Sequence, residues 1–180
     1  VWQLMNLLLR FSNRPRYELR RLTLALAELC RFIAASNAGA KHRFDLFSKA
    51  VLRARPLMRN AGPDRAGLLS RLETAAACLE RTLLDMELHG LKPDEEAMEA
   101  LLFIGRALQL QADFTAHPSA AAALRQPLAS ASKGLARALR AADTDDRNFI
   151  PNLKFSRIYS GLEKTVYAVD DYAELLARTL

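Results

Sequence analysis

The chain is short of the residues that build reactive centres or staple small folds. Its 180 residues hold two cysteines, Cys30 and Cys78, and neither has a histidine or second cysteine at metal-ligand spacing. That excludes a disulfide framework and a zinc site, and leaves both thiols reading as small core hydrophobes in a reducing compartment. Seven glycines and seven prolines are too few for a collagen-like chain, and 51% hydrophobic residues exclude disorder. Aromatic residues make up only 7%. No apolar run reaches the ~18 residues that cross a bilayer. The opening Val1-Trp2-Gln3-Leu4-Met5-Asn6-Leu7-Leu8-Leu9 is too short for a span and lacks the basic leader and cleavage site of a secretory signal. A start on Val rather than Met is compatible with an excerpt of a longer protein.

Catalytic signatures are missing as well. His42, His89 and His117 lie far apart, and none stands at a spacing that would put two metal ligands on one helical face. They read as solvated residues near helix ends. There is no glycine-rich phosphate loop, nucleophile elbow, HExxH or CxxC. The expectation is a protein that is not an enzyme and carries no cofactor.

What the chain does have is helical periodicity. Pro15 stands at a first turn behind Ser12 and Asn13, and Leu19, Leu22, Leu26, Leu29 and Ile33 then recur at steps of three and four until Asn37 and Gly39. Phe44, Phe47, Val51, Ala54 and Met58 repeat the rhythm, with Pro56 expected to kink or end that helix early. A third stripe runs Leu68, Leu72, Ala75, Leu79, Leu83 and Met86 and closes at Gly90. Pro93 opens a fourth helix with Asp94, Glu95 and Glu96 in its first turn, and its expected core stripe is Met98, Leu101, Gly105, Leu108 and Ala112. Ser119 is the expected cap of a fifth, with Leu124, Leu128, Ala131, Leu135, Ala138 and Ala142, interrupted by Pro127 and softened by Gly134. After the loop Asp143–Pro151, a last stripe carries Ile158, Leu162, Val166, Val169, Ala173, Leu176 and Leu180. Near-heptad stripes joined by short connections predict an all-α antiparallel helical bundle of five or six helices. One domain over residues 1–180 is expected, with 1–12 as a membrane-proximal extension. Alanine-rich stripes containing Gly105 imply helices that approach closely.

The net charge of +6 is uneven. Residues 1–60 carry 12 basic and 3 acidic side chains, residues 61–120 carry 5 and 10, and residues 121–180 carry 9 and 7, which makes the first third the basic end. There Arg10, Arg14, Arg16, Arg20 and Arg21 follow directly on the apolar opening segment. This is the order found where a membrane helix leaves the bilayer on its cytoplasmic side, so these arginines are the candidate membrane-facing or anion-binding residues. No nucleic-acid-binding signature accompanies them. On the last helix, Glu163, Asp170 and Glu174 fall within about 40° of one another at 3.6 residues per turn. A metal there would need further oxygens from a partner helix, and otherwise the stripe is a solvated acidic flank. The loop residues Asp143, Asp145, Asp146 and Asn148 miss the EF-hand pattern and read as loop and cap.

Leu7-Leu8-Leu9-Arg10, Arg14-Pro15-Arg16 and the run from Leu19 to Ile33 together resemble the entry to the soluble helical region of fusaric-acid-resistance-type inner-membrane proteins, the aromatic acid exporter group. The similarity extends to about His117. It implies a cytoplasmic all-α accessory domain of a bacterial transporter, without the membrane blocks that export. Its partners would be the membrane surface or membrane segments, with a homo-oligomer as a further option. Phe149-Ile150-Pro151, Arg157-Ile158-Tyr159 and Asp170-Asp171-Tyr172-Ala173-Glu174 resemble part of a phosphate-uptake-regulator (PhoU-like) bundle, whose carboxylate helices bind metal clusters. That likeness carries over only to Asp170 and Glu174, and the duplicated three-helix layout of such bundles is not visible in the sequence.

Overall fold

The computed structural model describes residues 2–36, 38–116, 121–144 and 149–179, including the side chains of 13–36, 38–115, 123–144 and 150–179. They form six α-helices: α1 (Trp2–Ala35), α2 (Ala40–Asn60), α3 (Pro63–His89), α4 (Glu95–Ala116), α5 (Gln126–Thr144) and α6 (Phe149–Thr179). A 3₁₀ turn at Ala121–Leu124 leads into α5, and no strand occurs among the described residues. The all-α bundle expected from periodicity is what forms.

Two antiparallel helix pairs make its centre. In the first, α1 runs against α4, with Arg20 beside Asp113 and Ala27 beside Gly105. In the second, α3 runs against α6, with Gly67 beside Leu175 and Thr82 beside Gly161. The shorter α2 packs outside α1 and α3, and the shorter α5 packs outside α4 and α6. The chain is therefore laid out twice as three helices, with the outer members of each half paired across to the other. This layout was not visible in the sequence because what recurs is helix order and packing rather than residues.

Close approach depends on small residues, as the alanine-rich stripes implied. A Cβ on Gly105 would lie 3.2 Å from the Ala27 carbonyl oxygen, so glycine lets the α1 and α4 backbones nearly touch. Gly161 does the same between α6 and α3, where a Cβ would meet Thr82 Oγ1 well inside 3.0 Å. The core contains every α6 residue of the expected stripe from Ile158 to Leu176, and Leu19, Leu22, Leu26, Leu29 and Ile33 on α1. Both cysteines are free: Cys30 is fully buried in the core as expected, whereas Cys78 is half-buried and lies outside it.

Several expectations about helix ends and faces need correction. Pro15 does not start α1, which runs unbroken from Trp2 for 34 residues, about 50 Å. Pro56 does not end α2, which continues to Asn60. The carbonyl that Pro56 leaves without its helical partner belongs to Leu52, an exposed residue, so water can satisfy it. Pro127 sits in the first turn of α5, where a missing amide donor costs nothing. On α4, Leu101, Gly105, Leu108 and Ala112 are buried as expected but Met98 is exposed, and Ala97, Ala100, Ile104 and Ala107 widen the buried face. Asp94 caps that helix, its Oδ1 accepting from the Ala97 amide at 2.9 Å, and Pro93 lies before it. Gly90, at φ 63°, closes α3 as expected: the Leu91 amide donates back to the Met86 carbonyl at 2.9 Å and the Gly90 amide to Glu87. His89 lies in the last turn of α3, whereas His42 lies in the first turn of α2, at the positive end of the helix dipole. His117, Ser119, Leu180 and the loop residues Asp145, Asp146, Arg147 and Asn148 lie outside the described residues.

Candidate functional site

Helix register sorts the basic first third into two places. Because α2 runs antiparallel to α1, Lys41, His42 and Arg43 sit at the end of the bundle opposite Arg14 and Arg16. The first third is thus not a basic end in space.

At the Arg14 end, α1 enters the bundle level with the start of α3 and the ends of α4 and α6. Arg14 and Arg16 are exposed, and Arg20 is half-buried. Arg20 pairs with Asp113 on α4 at 3.7 Å, and its buried Nε has no hydrogen-bond partner. Arg21 pairs with Glu18 at 2.8 Å, one turn back on its own helix. These are surface pairs worth at most about 1 kcal/mol each, so they hold the side chains loosely. The side chain of Arg10 lies outside the described residues.

The residue that sequence reasoning missed is Arg65. It follows Pro63 and Asp64, a pair that reads as a turn and cap, and nothing local marks it out. The fold leaves it half-buried, near enough to Arg16 and Tyr172 for their charges to act on it, and one buried nitrogen, Nη1, has no hydrogen-bond partner. Burial, and next the neighbouring Arg16 charge, lower its pKa below the ordinary guanidinium value, with Asp64 opposing. Among the described residues no carboxylate lies within ion-pair distance of Arg14, Arg16 or Arg65. Three guanidiniums without counter-ions, one with an orphaned buried donor, are suited to oxyanions such as phosphate, which guanidinium donors match in geometry.

Below this layer the core holds a paired Thr23 and Tyr172, while the buried Gln111 Oε1 has no hydrogen-bond partner. The Thr23 hydroxyl donates to the Leu19 carbonyl at 2.8 Å, so its single proton is committed. The Tyr172 hydroxyl, 2.8 Å away, must then donate to Thr23 Oγ1. Burial pushes the Tyr172 phenol well above its ordinary value, and Tyr159, which donates to Asp94 Oδ2, is raised by burial and by that carboxylate. Neither supplies a general base near neutrality.

The acidic stripe on α6 is divided. Asp170 receives both Nε and Nη2 of Arg125, from the turn before α5, and Glu174 pairs with Arg178 one turn on. Glu163 is half-buried nearby, but among the described residues no three His, Cys, Asp or Glu side chains gather closely enough to hold a metal. The fold brings an arginine, not a second set of oxygens, to this flank. Among the described residues no helix is long and apolar enough to cross a membrane. No protein-family model matches the chain, and no curated protein matches it.

Proposed function

We propose that this bundle is a non-catalytic interaction or regulatory module at the cytoplasmic face of a bacterial inner-membrane transporter, with the exposed Arg14 and Arg16 turned toward anionic headgroups and the half-buried Arg65 adding its charge beside them. The observation that carries the reading is the continuity of α1. One unbroken helix runs from the apolar Trp2–Leu9 segment into the bundle, and it enters at the end where the three unpaired guanidiniums lie. Positive residues at such a junction are attracted to an anionic leaflet by about 1 kcal/mol each.

The test is co-sedimentation of the full chain with phosphatidylcholine vesicles, with and without added phosphatidylglycerol. Binding should require the anionic lipid and weaken with salt. Arg14→Gln with Arg16→Gln should lower affinity by about 2 kcal/mol, roughly 30-fold. Equal binding to neutral vesicles, or unchanged binding by the double variant, overturns the reading. Both side chains are exposed, so folding is not at stake.

The repeated three-helix plan favours a second reading, a PhoU-like regulatory bundle with a carboxylate metal site. It requires Asp170 and Glu174 to leave their arginines for a divalent ion. Manganese or magnesium should then raise the melting temperature of the wild-type chain but not of the Glu163→Ala, Asp170→Ala, Glu174→Ala variant. No metal-dependent shift in the wild type removes it.

A further inference from the structure

A second cluster of cations lies on a different face, in the groove where α3 and α6 run side by side. The groove is a cavity of about 630 Å³ lined by Arg81, Asp85 and Cys78 from α3 and by Arg157, Ser160 and Lys164 from α6. Nothing local in the sequence groups these residues. Only the antiparallel register, which sets Thr82 against Gly161, brings them together. Arg81 lies 16 residues along α3 from Arg65, about 24 Å, so this site is separate from the arginine end of the bundle.

We propose that this groove binds a small organic oxyanion, a carboxylate or phosphate monoester carrying an apolar body. Charge is the first argument. Three cations face one carboxylate, and Asp85 lies 3.2 Å from Arg157 Nε, which leaves Arg81 and Lys164 with no counter-ion among the described residues. Placement is the second. Arg81 and Lys164 come from opposite walls, so a single acidic group between them is held from two directions, with the Ser160 hydroxyl on the same wall as Lys164. The Thr74 hydroxyl is not available, because it donates to the Ser70 carbonyl at 3.0 Å. Size is the third. The volume falls within the range of pockets that hold small organic molecules and exceeds what a bare phosphate fills. Ala77 and Gly161 give the space between the cations an apolar floor, which suits a ligand with a hydrocarbon or ring portion. The floor is stiff, since Gly161 packs directly on Thr82, and the site is thus formed before any ligand arrives.

Cys78 reports on occupancy. It lines the groove and is half-buried, while Cys30 is fully enclosed in the core. Alkylation of the native protein by iodoacetamide, a neutral reagent, is followed by mass spectrometry with phenyl phosphate, hexanoate, inorganic phosphate or matched sodium chloride added. Saturable slowing at Cys78, several-fold at full occupancy by phenyl phosphate or hexanoate, is the expected result, and which of the two acts names the acidic group. Arg81→Gln with Lys164→Gln should abolish protection, read as the ratio of alkylation rates with and without ligand in the same variant, while leaving the melting temperature near wild type, since both side chains are exposed. Absence of saturable protection, equal protection in the double variant, or protection by inorganic phosphate as strong as by phenyl phosphate each overturns the proposal. None of these outcomes bears on vesicle binding.

Discussion

Replacing Gly161 by alanine probes the tightest contact between the halves. A helix-interior Gly→Ala change ordinarily stabilises by about 0.8–1.0 kcal/mol. Here the new methyl would meet Thr82 Oγ1 inside 3.0 Å and the Thr82 Cβ and Cγ2 at 3.3 Å. Thr82 has no room to retreat: it is 1% exposed, and its hydroxyl donates to the Cys78 carbonyl at 2.9 Å. Overpacking of a close-packed site costs about 1–3 kcal/mol. Subtracting the propensity gain leaves a net loss of about 0–2 kcal/mol, which at this chain length lowers the melting temperature by about 2–4 °C per kcal/mol. Gly134 on α5 is the control, because the nearest atom to a Cβ there is Glu99 Oε2 at 4.0 Å. Gly134→Ala should therefore stabilise by about 0.5–1 kcal/mol. Urea unfolding followed by circular dichroism measures both. Combining Gly161→Ala with Thr82→Ala should recover part of the loss, a coupling of at least about 0.5 kcal/mol. Two glycine variants that stabilise equally, or a strictly additive double variant, would refute the claim that the α3–α6 spacing is set by this glycine.

Removing the buried phenol hydroxyl with Tyr172→Phe should cost about 1 kcal/mol, because Thr23 keeps its bond to Leu19. In the wild type the folded state holds the Tyr172 proton well above pH 10 while the unfolded chain releases it near there. The unfolded state then binds fewer protons, so stability falls as pH rises through that window, by about 1.4 kcal/mol per unit, and Tyr172→Phe should flatten the alkaline slope. Asp94→Ala removes both the cap on α4 and the acceptor of Tyr159 and should destabilise by about 2 kcal/mol, whereas Asp94→Asn keeps an acceptor and should cost less, as read by thermal melting. Burial pushes the Cys30 thiol up to about 12, so at neutral pH iodoacetamide should label Cys78 in the native state and Cys30 only after unfolding, which peptide mapping will resolve.

The stripes on α1, α3 and α6 were legible because long aliphatic residues at helical spacing have one way to be buried, and the fold buries them there. On α4 the same logic chose Met98 by its size and missed Ala97 and Ala107, because an alanine's small apolar surface does not mark which face of a helix is buried. Pro15 and Pro56 misled as punctuation, because a local rule does not say whether the carbonyl a proline strands will face water. Arg16 was legible as a candidate and Arg65 was not: their meeting depends on α1 and α3 lying parallel at one end of the bundle. Arg81, Arg157 and Lys164 were hidden for the same reason, since a cation on an exposed face acquires meaning only from what stands across a groove.

The crossed pairing of α1 with α4 and α3 with α6 also bears on how the chain is assembled. Within the first half, α1 and α3 touch each other little, and each spends its apolar face on a helix of the second half. A ribosome that has released only residues 1–90 has therefore made a hairpin series with no enclosed interior of its own. Its exposed stripes must wait for α4 and α6 or be shielded by a chaperone, and severing the Leu91–Lys92 connection should yield two pieces that are insoluble apart and fold only when mixed. The same geometry offers a route of origin: a three-helix ancestor that paired with its own copy would bury the same two interfaces, and fusing two copies end to end would produce this arrangement directly.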